Sequence, residues 1–279
     1  MLRLLNEPCA AAMAYGLFVA GSKRVLVVDL GGGTLDVSLL AIAEGRMRIV
    51  GTGGDEQLGG EDFTRALMAL VLERSGKAGD AADAGGGAGD GGVGGGGAGG
   101  GARSVASPQR SGALQAAVER AKIALSSADS AEVLVPGGAA PVVVTRRDFD
   151  AACAPLVARV VGAVRSVLEG ADVAAGNVQE LVVVGGGCQA PVVRAALREL
   201  MGGLDICQTI APGTAVAMGA AIQGAIISGV SAELLKDVLM MDVLSITWGL
   251  EGAGGDMVPI LPKNSVLPAV SRRRRWLLC

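Results

Sequence analysis

The chain has 279 residues, which is enough for one large domain or two small ones with a buried core. Aromatic residues make up only 2% of it, so the interior must be built from Leu, Val, Ala and Met. The formal net charge of −3 provides no basic field to attract nucleic acid or an anionic membrane, and neither is expected as a partner.

The cysteines show no CxxC pair, and histidine is absent, so a Cys/His metal site is not expected. Scattered thiols without a disulfide framework are typical of a reducing compartment, and we expect a cytoplasmic protein. Residues 1–21 resemble a signal peptide only superficially, because Asn6, Glu7 and Pro8 interrupt the apolar run. Residues 206–232 lack charge over a membrane-spanning length, but polar residues and proline favour a buried helix.

Three short aliphatic runs begin at Val25, namely VLVVDL, VSLLAIA and MRIVGT, and turn residues separate them. They predict consecutive strands of one sheet. Residues 60–74 follow with apolar residues at helical spacing and with Glu61 and Asp62 at the start, which predicts a helix. More than half of residues 76–102 are glycine, so we expect a disordered insertion there.

Helical periodicity returns at residues 108–127, and two short strands, AEVLV and PVVVT, come next. Thr145 is predicted to start a long amphipathic helix. The run LVVVGGG from Leu181 predicts a buried strand that ends in a glycine turn before a helix at Pro191. A last helix is predicted over residues 214–228. An apolar, linker-like stretch follows from Leu234, and from Val243 the sequence predicts short strands joined by glycine and proline turns.

The segment DLGGGTLD, Asp29 to Asp36, carries the strongest chemical signal. Its three glycines permit positive φ and a close backbone approach, so that N–H groups can surround a phosphate. Asp29 and Asp36 are placed to hold a hydrated Mg²⁺, and the Thr34 hydroxyl can bond a phosphate oxygen or water. The alternative is a glycine-rich hairpin that binds nothing, since isolated glycine patterns are weak signals.

Seven segments, in order along the chain, give the sequence a resemblance to the 70-kDa heat-shock (DnaK-type) chaperones. They are NEPCAAAMAYGL from Asn6, DLGGGTLDVSLL from Asp29, LGGEDF from Leu58, ERAKIALSS from Glu119, LVVVGGG from Leu181, AVAMGAAIQGAIISG from Ala215 and KDVLMMDV from Lys236. The resemblance implies an α/β fold, the second lobe of an actin-like (ribonuclease H-like) ATPase with a helical subdomain, over residues 1–230. It further implies an interdomain linker at 231–243, the first strands of a peptide-binding β-sandwich at 244–270 and an irregular tail at 271–279.

The resemblance also implies a site for ATP or ADP with Mg²⁺. Asp29 and Asp36 would support the metal through water, and Glu7 would assist near the attacking water. The residues implied in nucleotide binding are Gly31, Gly32, Gly33, Thr34, Gly60, Glu119, Lys122, Ser126, Gly185 and Gly186. Of these, Glu119, Lys122 and Ser126 would hold ribose and adenine from one helix face, although a surface ion pair explains the first two equally well.

Departures from the family pattern predict weakened or altered nucleotide affinity. Ile123 and Gln189 stand where the family has the basic residues that sandwich adenine, and Gly187 and Gly213 replace a serine and an aspartate. The chain also starts after the family's first phosphate loop and catalytic lysine, so poor hydrolysis is expected. We expect either a truncated gene model or a degenerate family member. For the basic run Arg272–Arg275, an artefact is preferred to a targeting signal.

The leading hypothesis is an ATP-regulated chaperone whose linker couples nucleotide state to peptide binding. The implied partners are unfolded or nascent polypeptides, J-domain co-chaperones and nucleotide-exchange factors. An alternative is a non-catalytic member similar to the divergent ribosome-associated relatives. A sugar kinase of the actin-like superfamily is disfavoured, because the segment after Lys236 has no place in it.

Overall fold

The computed structural model describes residues 4–16, 21–44, 46–76, 108–138, 140–207, 209–229, 239–244, 246–252, 254–263, 265–267 and 269–271. Its helices are α1 (Glu7–Ala14), α2 (Gly60–Arg74), α3 (Pro108–Ala124), α4 (Arg146–Gly170), α5 (Pro191–Leu200) and α6 (Ala215–Ile227). Its strands are β1 (Lys23–Leu30), β2 (Leu35–Ala43), β3 (Arg46–Asp55), β4 (Ser130–Val133), β5 (Val142–Thr145), β6 (Glu180–Val184), β7 (Ile206–Cys207), β8 (Leu239–Val243), β9 (Trp248–Glu251), β10 (Met257–Leu261) and β11 (Val266–Leu267).

The main sheet has seven strands in the order β11-β8-β3-β2-β1-β6-β7. The aliphatic runs predicted as consecutive strands form an antiparallel β1-β2-β3 meander, which confirms that prediction. On the other side of β1, β6 and β7 pair in parallel, as does β8 with β3. The fold is therefore mixed α/β with a mixed sheet.

The chain divides into two compact units, each described here by itself. The first unit comprises residues 1–60 and 157–279, and the second comprises residues 61–156. The first unit holds the seven-stranded sheet, and the second holds most of α2, all of α3, the β4-β5 hairpin and the start of α4.

The core of the first unit is aliphatic, as the composition requires. Met13, Val27, Leu40, Met47 and Val182 belong to one buried cluster that joins α1 to the strands. Helix α1 crosses α6 closely, because a Cβ at Gly219 would overlap the backbone of Ala10. Glycine at this crossing lets the two helices touch backbone to backbone.

Helix α4 begins as predicted, with Thr145 at its N-terminus. The Thr145 amide and hydroxyl donate to Asp148 Oδ2 at 2.9 and 2.7 Å, and the Asp148 amide donates to Thr145 Oγ1 at 3.2 Å. This reciprocal pair satisfies amides at the start of the helix. Among the described residues, α4 is the one helix long and apolar enough to cross a membrane, and 33% of its apolar window is buried. One such helix is weak evidence for a membrane segment.

Several predictions meet a different outcome or lie outside the described residues. Ser126 lies in the turn after α3, so the prediction that one helix face presents it with Glu119 and Lys122 is wrong. The predicted disordered insertion, apart from Gly76, lies outside the described residues, and so does the tail beyond Ser271. Of the predicted linker only residues 239–243 are described, and they form β8.

The strands predicted after the linker are present. β9 and β10 form an antiparallel hairpin of their own, while the two residues of β11 pair with β8 at the edge of the main sheet. Lys263 Nζ donates to the Thr52 carbonyl at 2.7 Å, which ties this C-terminal segment to β3. A peptide-binding sandwich built from these strands remains a prediction.

Candidate functional site

The DLGGGTLD segment closes the end of the β1-β2 hairpin. Asp29 and Asp36 are direct cross-strand partners, and Leu30 pairs with Leu35. Cross-strand partners place their side chains on the same face of a sheet, so the two carboxylates lie side by side. The Gly31 amide donates to the Thr34 carbonyl at 3.0 Å, which closes the four-residue turn between the strands.

A close backbone contact supports this loop. None of Gly31, Gly32 and Gly33 has a positive φ, so the left-handed backbone that glycine permits is not used here. The contact requires glycine at position 59, since a Cβ at Gly59 would overlap the backbone of Gly32 and Gly33. The Gly60 amide donates to the Gly31 carbonyl at 2.8 Å, so the turn before α2 packs directly onto the loop.

The second glycine turn, after β6, lies against Asp29. Gly185 has φ +81°, and a Cβ on it would overlap the Leu30 carbonyl and lie 2.8 Å from Asp29 Oδ1. Only glycine meets both requirements without strain. Nothing lies within 4 Å of the Cβ position of Gly186, so the neighbouring backbone faces open space.

Three carboxylates influence one another at this end of the sheet. Burial, followed by the negative charges of Glu7 and Asp36, raises the pKa of Asp29 to about 6. Mutual repulsion of this kind favours either protonation or a bound cation. No group of three or more Asp, Glu, Cys or His side chains with metal-holding geometry occurs in the described part of the chain. A divalent cation here would therefore take most of its ligands from water or phosphate.

The second unit contains a separate polar cluster. Lys122 Nζ lies 2.8 Å from Glu119 Oε2 and donates to Thr64 Oγ1 at 2.9 Å, while the Thr64 hydroxyl donates to Glu119 Oε2 at 2.5 Å. Burial acts to raise the pKa of Glu119, but the hydrogen bonds from Lys122 and Thr64 lower it overall. The carboxylate is thus ionised and already paired.

Thr64 was missed by sequence reasoning. It is only 3% exposed and lies in α2, 55 residues before Glu119 in the chain. Its one local signal is a hydroxyl directly after Phe63, on the otherwise apolar buried face of an amphipathic helix. Two positions that depart from the family pattern at the adenosine end are open to solvent. Ile123 is 61% exposed, and a side chain at Gly213 would meet no neighbouring atom.

The predicted site residues fall into two groups. The first unit contains Glu7, Asp29, Gly31, Gly32, Gly33, Thr34, Asp36, Gly60, Gly185 and Gly186. The second unit contains Glu119, Lys122 and Ser126. Several members of the first group lie together. Gly60 bonds to Gly31, Gly185 approaches Asp29, Asp36 is the cross-strand partner of Asp29, and the charge of Glu7 acts on the Asp29 carboxyl.

A match to one protein family covers most of the chain. The family model described as Hsp70 protein matches residues 1–84 and 104–275. The chain belongs to the Hsp70 family. Similar curated proteins include the chaperone protein HscA of Pectobacterium carotovorum, 38% identical over 268 residues, and the chaperone protein DnaK of Trichormus variabilis, 35% identical over 276 residues.

These matches cover 96% of this chain but only 39% of that HscA and 36% of that DnaK. Another relative, the chaperone protein HscA of Serratia proteamaculans, is 39% identical over 268 residues with the same coverage as the first. The chain therefore spans well under half the length of the curated Hsp70 relatives that it matches.

Proposed function

We propose that this Hsp70-family chain binds the phosphates of ATP or ADP with Mg²⁺, as part of a chaperone that assists protein folding. The observation that carries the proposal is the set of repelling carboxylates around Asp29, beside a glycine loop whose backbone faces open space at Gly32 and Gly33. A cation relieves the repulsion between the carboxylates, and an anion bound with that cation accepts hydrogen bonds from the loop amides.

Each residue of the loop has a role in this proposal. Asp29 and Asp36 hold Mg²⁺ through its water shell, and Thr34, which is exposed, donates its hydroxyl to a phosphate oxygen. Bound Mg²⁺ would supply charge neutralisation at the phosphates. Gly32 and Gly33 offer backbone amides to the phosphates. Gly31 lies beside them, with its amide closing the turn onto the Thr34 carbonyl and its own carbonyl held from behind by the Gly60 amide. Glu7, at the start of α1, orients water.

The nucleoside end of the proposal rests on residues of the second unit. Glu119 and Lys122 would bond ribose hydroxyls, with Ser126 beside them in the turn after α3. The described cluster supports this because Glu119 is ionised and can accept hydroxyl protons. Ile123 supplies no guanidinium to stack on adenine, so we expect affinity weaker than micromolar.

At the level of the whole protein, nucleotide state would regulate peptide binding through residues 231–243. The pairing of β8 with β3 supports this coupling, because it connects that segment to the sheet that carries the loop. Unfolded or nascent polypeptides are the proposed clients, with J-domain co-chaperones and nucleotide-exchange factors as partners. A cytoplasmic location fits the free thiols of Cys9, Cys153, Cys188 and Cys207.

Isothermal titration of the chain with Mg-ADP tests the proposal. We expect saturable binding that requires Mg²⁺ and that Asp29→Asn weakens at least tenfold. Asp205→Asn is the matched control, since Asp205 is a carboxylate of the same unit in a surface ion pair with Arg198. Absence of Mg²⁺-dependent binding, or equal affinity in Asp29→Asn, would contradict the proposal.

A second candidate is a non-catalytic family member that binds nucleotide without turnover. The exposure of Ile123 where the family has a basic residue favours it. Steady-state ATP hydrolysis, measured on a form extended upstream through a complete first lobe, separates the two. Turnover there would remove the second candidate.

A further inference from the structure

The turn between β3 and α2, residues 55–60, supports the glycine loop from behind. Leu58, Gly59 and Gly60 are all buried, and Gly59 touches the backbone of Gly32 so closely that it has no room for a Cβ. The Gly60 amide donates to the Gly31 carbonyl at 2.8 Å. The position of this turn therefore determines the position of the loop.

One arginine of α4 anchors the far end of that turn. Arg159 Nε and Nη2 both donate to Asp55 Oδ2, at 3.0 and 2.7 Å, and Nη2 also donates to the Gln57 carbonyl at 3.0 Å. The second carboxylate oxygen, Asp55 Oδ1, accepts the Gln57 amide at 3.0 Å. A planar guanidinium presents its donors in a fixed fork, so it can hold a side chain and a backbone carbonyl in one arrangement.

Asp55 also belongs to the sheet beside the loop. It is the last residue of β3 and the cross-strand partner of Leu35, while the preceding Gly54 pairs with Asp36. The hydrogen bond from the Gln57 amide and then that from Arg159 lower the pKa of the Asp55 carboxyl, so it stays ionised at neutral pH. The clamp formed by Arg159, Asp55 and Gln57 is therefore next to the site in two ways. Asp55 follows Gly54, the strand partner of Asp36, and the turn that begins at Asp55 ends at Gly60, which bonds to the loop.

We propose that Arg159 and Asp55 are positioning residues for phosphate binding, which act by fixing the turn that carries Gly59 and Gly60 against the glycine loop. Neither side chain is part of the predicted phosphate site, and neither stands in a motif that the sequence singled out. The inference rests on the proposed function for its effect on affinity. Its effect on the loop itself does not depend on any ligand.

The alternative is an ordinary surface ion pair. The side chains of Arg159 and Asp55 are 43% and 27% exposed, and exposed pairs contribute little to overall stability. A positioning role differs from an ordinary surface ion pair because its effect is local. Removing the pair should weaken the hydrogen bond between Gly60 and Gly31 while leaving the melting temperature almost unchanged. The contacts with the Gln57 amide and carbonyl favour the positioning role, since they tie the pair to the turn backbone.

The test compares Arg159→Ala, Arg159→Lys and Asp55→Asn with a matched control, Arg198→Ala. Arg198 pairs with Asp205 on the surface of the same unit. Two measurements are made on the full chain: titration with Mg-ADP, and amide hydrogen exchange followed by NMR. We expect Arg159→Ala to weaken Mg-ADP binding about tenfold and to accelerate exchange of the Gly60 amide without a comparable change in the β1-β2 amides. Arg159→Lys restores part of the affinity, because one ammonium can pair with Asp55 but cannot reproduce the fork.

The outcomes separate the two proposals. Unchanged affinity and unchanged Gly60 exchange in Arg159→Ala, with the unsubstituted chain binding Mg-ADP, overturn the positioning role alone. A uniform rise in exchange across the unit also overturns it, since that is the signature of a purely structural pair. No Mg-ADP binding by any form overturns the proposed function, and faster Gly60 exchange confined to the turn would still support the clamp. Should Arg159→Ala fail to fold, Asp55→Asn and Arg159→Lys carry the same comparison.

Discussion

The two polar groups of this chain solve opposite electrostatic problems. In the first unit, burial and then the charges of Glu7 and Asp36 raise the pKa of Asp29 to about 6, whereas in the second unit the Glu119 carboxylate is paired with Lys122 and Thr64 and has a lowered pKa. The first arrangement is costly until a cation arrives, and the second is satisfied in the free chain. We infer that ligand binding and pH act mainly on the loop, while the Glu119 cluster contributes a preorganised surface.

The largest effect is expected from filling the contact behind the loop. Gly59→Val places side-chain atoms where the Gly32 and Gly33 backbone lies, so the loop must move. We expect a loss of stability of about 2–3 kcal/mol and no measurable Mg-ADP binding. Chemical denaturation and calorimetric titration measure both. Gly162→Ala is the control, since nothing lies within 4 Å of its Cβ position, and helix propensity predicts a small gain in stability. Normal binding in Gly59→Val would show that the loop does not depend on this contact.

The next effect concerns the pH dependence of stability. The folded pKa of Asp29, about 6, lies above its unfolded value of 3.8, so the folded state holds more protons between these values. Stability from this group is therefore complete below about pH 4 and is lost as the pH rises through 6. Thermal melts of the ligand-free chain should show this fall, and Asp29→Asn should flatten it. With Asn at this position we expect a gain of about 1 kcal/mol at pH 7, since solvent partly screens the charge.

Mg²⁺ should abolish that dependence, because only the ionised Asp29 attracts a cation. In saturating Mg-ADP the Asp29 carboxyl is ionised in both the folded and the unfolded chain between pH 5 and 7, so we expect the fall in melting temperature over this range to disappear. An identical pH profile for the unsubstituted chain and Asp29→Asn, with and without ligand, would contradict the assignment of the raised pKa to this carboxyl.

A smaller effect is expected in the second unit. Thr64→Val keeps the size of a buried side chain but removes the hydroxyl that joins Glu119 and Lys122. We expect a loss of about 1–2 kcal/mol in denaturation experiments, with a raised Glu119 pKa. Thr64→Ser retains the hydroxyl and should lose less. If Thr64→Val were as stable as the unsubstituted chain, the hydrogen bonds of the Glu119 cluster would not stabilise the free chain.

The smallest effect tests the adenine side. Ile123→Arg introduces a guanidinium at a position that is 61% exposed, so stability should stay within about 0.5 kcal/mol. If adenine lies near, stacking should tighten Mg-ADP binding by about 0.5–1 kcal/mol while leaving Mg-pyrophosphate binding unchanged. Equal gains for both ligands would indicate a general charge effect.

Sequence patterns over a few residues predicted the strands, helix starts and turns that depend on neighbouring residues. The aliphatic runs determined β1 to β3, the capping residues Thr145 and Asp148 marked the start of α4, and the glycine segment located the loop. The sequence pattern did not predict the contact that supports this loop, because the requirement for glycine at position 59 comes from the backbone of Gly32 and Gly33, which only the tertiary fold places beside it.

What could not be predicted depends on residues distant in the chain. Arg159 meets Asp55 across 104 residues and Thr64 meets Glu119 across 55, and neither pair shows any spacing that a helix or strand would impose. Similarly, the apolar residues of β8 fit a linker or a strand equally well until β3 is available as a partner. The ordered family segments identified the candidate site residues, whereas the residues that hold them in place were found only in the folded structure.

The arrangement of the main sheet also bears on how the chain behaves at high concentration. Its outermost strands, β7 and β11, contain two residues each, while the 8- and 9-residue strands β1 and β2 lie between neighbours on both sides. Such short outer strands offer little template for adding a strand from another molecule. The β9-β10 hairpin is different, since Trp248 and Met257 are 59% and 61% exposed. Self-association of the described chain should therefore begin at this hairpin, and polar substitution of Trp248 should raise solubility without altering the sheet.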